Sequence, residues 1–233
     1  MDAFNALLAT FDEAHDRFNS SAPVRFMGSD EFAPHHYASV LREIYFYTRD
    51  NPQLQVSMSL GFRGPRRAAV RRIVGHAMDE IGHERMALDD LETLGHDVSR
   101  IPEEEPLAST LPLIAHPVYL MTQRNPVGYL GQIFFLEFLP TRSGPAYIEA
   151  LTRAGIPTEA MTFLAEHAEV DEAHNRIMKH HVRDLILNED DLKSAQLAIE
   201  NCGHMYAAMM QGAFENAARF ESKGTAVAGG VAS

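Results

Sequence analysis

The sequence predicts an all-α protein, a compact bundle of about seven helices, and three observations carry that expectation. Apolar residues recur at i, i+3, i+4 and i+7 along most of the chain, the period of a helix with one buried face. No stretch alternates apolar and polar residues as a half-buried strand does. The periodic stretches are separated by short clusters of Pro, Gly, Ser and Asn, as at Ser20-Ser21-Ala22-Pro23, Asn51-Pro52 and Gly64-Pro65. A chain of 233 residues is long enough for one sizeable core. Residues 1–222 read as a single helical domain, and the Gly/Ala-rich segment 223–233 reads as a disordered tail.

In order, Phe4, Leu7, Leu8, Phe11 and Ala14 space a first helix over about 3–18, closed by the Ser-Ser-Ala-Pro run. After a loop through Gly28-Ser29-Asp30, a second helix spans about 31–48, apolar and aromatic around Glu43. An irregular segment follows to Gly61. Gly64-Pro65 then opens a third helix, where proline at the first turn costs no hydrogen bond, and that helix runs to Gly95. It carries Arg66, Arg67, Arg71 and Arg72 early and His76, Glu80 and His83 later. The Pro- and Glu-rich segment 101–106 is a solvated connection. Two shorter helices follow, over about 109–122 and 127–141, and another over about 144–153. Pro157 begins a long helix bearing His167, Asp171 and His174, and Asn188 with Asp191 three residues on resembles a capping box for the last helix, to about Phe220.

Composition narrows the function. A formal net charge of -12 disfavours nucleic acid and anionic membrane surfaces as partners. No stretch approaches the roughly 20 apolar residues that span a bilayer. Cys202 is the one cysteine, which excludes an intramolecular disulfide and a cysteine-based zinc site and fits a reducing compartment. The opening residues Met1-Asp2-Ala3-Phe4-Asn5 lack a signal-peptide pattern, so the cytoplasm is the expected location.

Chemistry concentrates in acidic and histidine side chains at helical spacing. His167, Asp171 and His174 lie at i, i+4 and i+7, on one face of a helix. Neutral imidazole and carboxylate together suit iron, manganese or zinc. Glu80 and His83 form a Glu-x-x-His pair, with His76 on the same face as a reserve candidate. Glu137 is the lone ionisable group in the run Gly131-Gln132-Ile133-Phe134-Phe135-Leu136-Glu137-Phe138-Leu139, and a buried carboxylate there needs a cation. Glu43 has two readings, a metal ligand or a buried salt bridge to an arginine. Single glutamates from two helices and carboxylate-x-x-His pairs from two others make the ligand pattern of bundle di-iron carboxylate proteins.

With those motifs in place, the chain resembles the haem-oxygenase-like diiron oxidases and oxygenases, from Glu43 to His174. The resemblance implies seven ligands, Glu43, Glu80, His83, Glu137, His167, Asp171 and His174, holding two Fe(II) ions that use O2 as co-substrate, with Glu137 as a bridge and Glu137 and Asp171 closest to the chemistry. Family members place the third-helix carboxylate at differing offsets before the histidine. At the offset of seven this chain has His76, which leaves Glu80 less secure than His83 or Glu137. The implied activity is oxidation of a small amino-acid-like or fatty-acid-like molecule, by desaturation, C–C cleavage or N-oxygenation, in a homodimer to which an external reductase is an open partner.

Two alternatives stand beside it. A metal-free relative of the same architecture, thiaminase-like or a cofactorless oxidase, would need a nucleophile such as Cys202 or a substrate-binding cluster of histidines and arginines in place of the carboxylates, and the buried Glu137 speaks against it. A ferritin-like store would require cage assembly, and a structural helical module should survive Glu137→Leu with unchanged or higher stability. Tyr37, Phe46, Phe134, Phe138, Met205, Tyr206 and Met209 are the candidate pocket wall, although such stripes more often form core. The arginine cluster at 66–72 reads as a solvated face or a carboxylate site.

Overall fold

A computed structural model describes residues 2–168 and 172–221, the side chains of 172–175 excepted. Among them the chain forms helices α1 (Ala3–Asn19), α2 (Ala22–Met27), α3 (Pro34–Met58), α4 (Val70–Asp79), α5 (His83–Thr93), α6 (Leu111–Gln123), α7 (Tyr129–Arg153), α8 (Thr162–Ala168), α9 (Glu172–Leu185) and α10 (Glu189–Glu215). No strand occurs among the described residues. The all-α expectation is met, with more and shorter helices than about seven. The expected tail at 223–233 lies outside the described residues.

Local chemistry sets the ends. The Asp2 carboxylate accepts from Asn5 N at 2.9 Å and starts α1, and the Asn188 amide oxygen accepts from Asp191 N at 3.0 Å and starts α10. Each satisfies a backbone N–H that the helix cannot. The expected third helix is divided: a 3-10 stretch at Gly64–Ala69 precedes α4, and Gly82 adopts a left-handed φ of 104° between α4 and α5. Glycine takes that conformation without a Cβ penalty. Glu80 therefore sits at the end of one helix and His83 at the start of the next.

Elsewhere the helices run longer than the punctuation suggests. The two helices expected over 127–153 are the single helix α7, which contains Pro140 and Pro145, and α3 continues through Pro52 to Met58. Tertiary packing holds both together against the cost of a missing donor. The segment 22–27, expected as loop, is α2.

Helices α7, α10, α1 and α3 enclose the core. Phe11 packs edge-on to Phe134 and Phe135, and Phe134 stacks on Phe138 at 4.4 Å between ring centroids. At the α7–α10 crossing, a Cβ on Gly131 would stand 1.9 Å from the Ala195 carbonyl oxygen, so only glycine permits this approach. That close contact fixes the part of α7 from which Glu137 projects. No helix among the described residues is long and apolar enough to cross a membrane.

Candidate metal centre

Glu80 is the hinge of the site. It is buried at the end of α4, and its two carboxylate oxygens face different histidines: Oε1 lies 3.6 Å from His76 Nε2, and Oε2 lies 3.6 Å from His83 Nδ1. His76 Nε2 also lies 3.3 Å from Glu137 Oε1, which reaches in from α7. On the other side the His83 ring meets the His167 ring of α8, with centroids 5.0 Å apart.

Two groups of donor atoms result, Glu80 with His83 and His167, and His76 with Glu80 and Glu137, each with its atoms within 4.8 Å of one another. They share Glu80. Each group could hold one cation. The donors fit iron, since imidazole and carboxylate are its common protein ligands. Among the described residues His83 Nδ1 is moreover buried without a hydrogen-bond partner, and its 3.6 Å separation from Glu80 is too long to supply one.

The surroundings orient these groups. Asp90 of α5 is buried and accepts from Thr162 N at 2.9 Å, Thr162 Oγ1 at 2.6 Å and Phe163 N at 3.0 Å, capping α8 from outside that helix. Burial raises the Asp90 carboxyl above its ordinary range, against the pull of those donors. One turn into α8, the His167 Nδ1 donates to the Phe163 carbonyl at 2.7 Å, which leaves Nε2 for the site. Burial lowers the His167 pKa, favouring the neutral ring that a metal requires. His83 moves the other way: its contact with Glu80 raises its pKa against burial.

Of the expected ligands, Glu80, His83, Glu137 and His167 come together, and His76 joins them. Asp171 lies outside the described residues, as does the side chain of His174, which sits in α9. Glu43 lies elsewhere. It is fully buried, accepts from Leu107 N at 3.0 Å and Thr110 Oγ1 at 2.5 Å, and pairs with Arg42. Arg42 in turn bonds Glu104 at 2.7 Å. The expectation of Glu43 as a ligand is not met by this geometry, because the connection at 104–110 turns that face of α3 into a salt-bridge network. Among the described residues, Glu80 is the residue common to the two donor groups, and Glu137 belongs to one of them.

One residue escaped the sequence reading. His181 of α9 is 1% exposed, stacks on His76 at 5.3 Å, and among the described residues has no hydrogen-bond partner on either ring nitrogen. Burial, with the neighbouring His76 and Arg72, pushes its pKa down to about 4. The signal was present: His167, His174 and His181 repeat every seven residues.

A cavity of about 110 Å³ opens onto Glu80, Glu137 and His167. Its walls are mainly apolar, with Val40, Ile44, Ile133, Leu136, Phe163 and Met210, and among the described residues it has no lysine or arginine in its lining. Tyr37 and Tyr206 of the expected pocket residues line it. Phe46, Phe134 and Met209 are fully buried core. Cys202 is buried, and burial pushes its thiol pKa up, away from a nucleophilic thiolate.

No curated protein matches the chain. Among solved structures, a domain of unknown function with a haem-oxygenase-like fold from Shewanella denitrificans aligns with a TM-score of 0.83 at 22% identity, covering 97% of both chains. A TenA homologue from P. horikoshii aligns with a TM-score of 0.69 at 10% identity, covering 92% of this chain and 99% of that one. Both likenesses show the fold, a haem-oxygenase-like helical bundle. The model of the iron-containing redox enzyme family matches residues 38–209, a span that includes every donor in the two groups. The chain therefore belongs to the iron-containing redox enzyme family.

Proposed function

We propose that the protein is a non-haem diiron oxidase or oxygenase that uses O2 to oxidise a small molecule with an apolar body. One observation carries the reading: the two oxygens of buried Glu80 face opposite donor sets, His83 with His167 and His76 with Glu137. Asp171 and His174 are the ligands proposed to complete the pair. Two ferrous ions held by these residues would supply electrons for the activation of O2.

The chain's own residues do the rest. Glu80 holds the two positions in register, and the carboxylates of Glu80 and Glu137 offset the ions' charge in a buried site. The hydrogen bond from His167 to Phe163 fixes which nitrogen faces inward. The apolar wall excludes water and holds the substrate body. Among the described residues the lining has no lysine or arginine to pair with a substrate anion, which favours an anionic group on the substrate facing the metal positions.

Cytoplasmic location, homodimerisation and exclusion of nucleic acid remain part of the proposal. The metal-free alternative finds less support, because the one cysteine is buried with its thiol held protonated. Anaerobic Fe(II) titration followed by O2-uptake measurement tests the proposal. Two irons per chain and iron-dependent O2 consumption support it; a chain that takes up no iron overturns it.

A further inference from the structure

The chain is acidic, yet five of its basic residues, Arg63, Arg66, Arg67, Arg71 and Arg72, fall within ten positions. Two of them are committed: Arg66 pairs with Asp191 and Arg72 with Asp184. Arg63, Arg67 and Arg71 are exposed, and among the described residues no carboxylate pairs with them. They stand four residues apart, along the rim of a shallow groove between the turn at 59–63 and α4. Leu60 and Met78 belong to the same groove and are 73% and 66% exposed, and Ile81 just beyond it is 67% exposed. Exposed arginine beside methionine and leucine is the composition of a protein interface, where single large apolar residues otherwise pass unremarked.

We infer that this face of α4 is the docking surface for a small acidic electron-donor protein, an inference that rests on the diiron reading. Charge complementarity selects an acidic partner, since the arginines form a positive patch on a chain of net charge -12. Position selects an electron donor. None of the groove residues lines the apolar cavity, so a partner seated here does not hand over substrate. Helix α4 instead presents Arg71 and Met78 outward and buries His76, with Glu80 directly following, so the groove and the donor cluster are separated by about one helix diameter, roughly 10 Å.

A two-electron oxidation of the substrate that takes both oxygen atoms to the level of water needs such a donor. Reducing O2 to two waters, or one oxygen atom to water while the other enters the substrate, leaves two electrons and two protons beyond what a two-electron oxidation of the substrate supplies. The donor delivers the two electrons singly, is itself oxidised by one electron each time, and the protons come from solvent.

A [2Fe–2S] ferredoxin with an acidic surface serves as the probe. Iron content is measured first, and the oxidised iron-loaded protein is then mixed with reduced ferredoxin in a stopped-flow instrument at rising salt, with dithionite as the small-reductant control. The expected result is a ferredoxin rate that falls steeply with salt and drops about tenfold or more in Arg67→Glu/Arg71→Glu, while the dithionite rate is unchanged. An iron-loaded protein that ferredoxin does not reduce, or reduces equally fast with and without the two substitutions, overturns the docking surface alone. A sample that holds no iron overturns the diiron reading and the docking surface with it.

Discussion

Two buried glutamates, Glu43 on α3 and Glu80 at the end of α4, sit in surroundings of opposite kind. Glu43 meets a guanidinium, a backbone N–H and a hydroxyl, so its charge and lone pairs are answered by protein groups. Among the described residues, the ion-pair contacts of Glu80 are with histidines, 3.6 Å away on each side. A carboxylate tied by protein donors holds a loop in place, whereas one ringed by imidazoles has its oxygens directed at space that a cation can enter. Burial by itself does not identify a metal ligand; the identity of the facing groups does.

Substitution should separate the two most sharply at iron. Glu80→Gln is expected to lower bound iron from two per chain to less than one, with the thermal midpoint of the apo-protein unchanged or higher; elemental analysis and calorimetry read both. Glu43→Ala should do the converse. It leaves Leu107 N and Thr110 Oγ1 without their acceptor and takes one of Arg42's two carboxylate partners, a loss of about 2–4 kcal/mol and so roughly 10 °C in Tm for a chain of this size, while iron content stays at two.

Asp90 offers an intermediate case, because its three hydrogen bonds act on the site only through α8. Asp90→Ala should weaken iron binding about tenfold and cost roughly 1–2 kcal/mol, a combined signature that neither glutamate gives. The smallest effect belongs to His181. Its folded pKa is depressed from 6.5 to about 4, so the stability that its neutral ring contributes is fully present above pH 6.5 and is lost as pH falls from 6.5 through 4. Apo-protein denaturation across that window should show a slope that His181→Leu flattens.

The sequence made the helical class legible because the 3.6-residue period runs through nearly every element, and it exposed Glu137 because no other charge shares that apolar run. It misplaced boundaries where tertiary packing overrides local signals: α7 passes through Pro140 and Pro145, and α3 passes through Pro52. The break at Gly82 was hidden inside a good helical pattern, although it is what sets Glu80 and His83 on separate helices. Glu43 could not be decided locally, since Leu107 and Thr110, which engage it, lie more than sixty residues away along the chain. His181 was discoverable from the seven-residue histidine spacing but only its stacking on His76 gives that spacing meaning.

The central claim is that Glu80 lies between two cation positions, and iron K-edge X-ray absorption of the iron-loaded protein tests it most directly. The account predicts two irons per chain with an iron–iron vector of about 3.5–4 Å that disappears in Glu80→Gln and persists in Glu43→Gln. A single iron with no such vector, or a vector indifferent to Glu80, would contradict it.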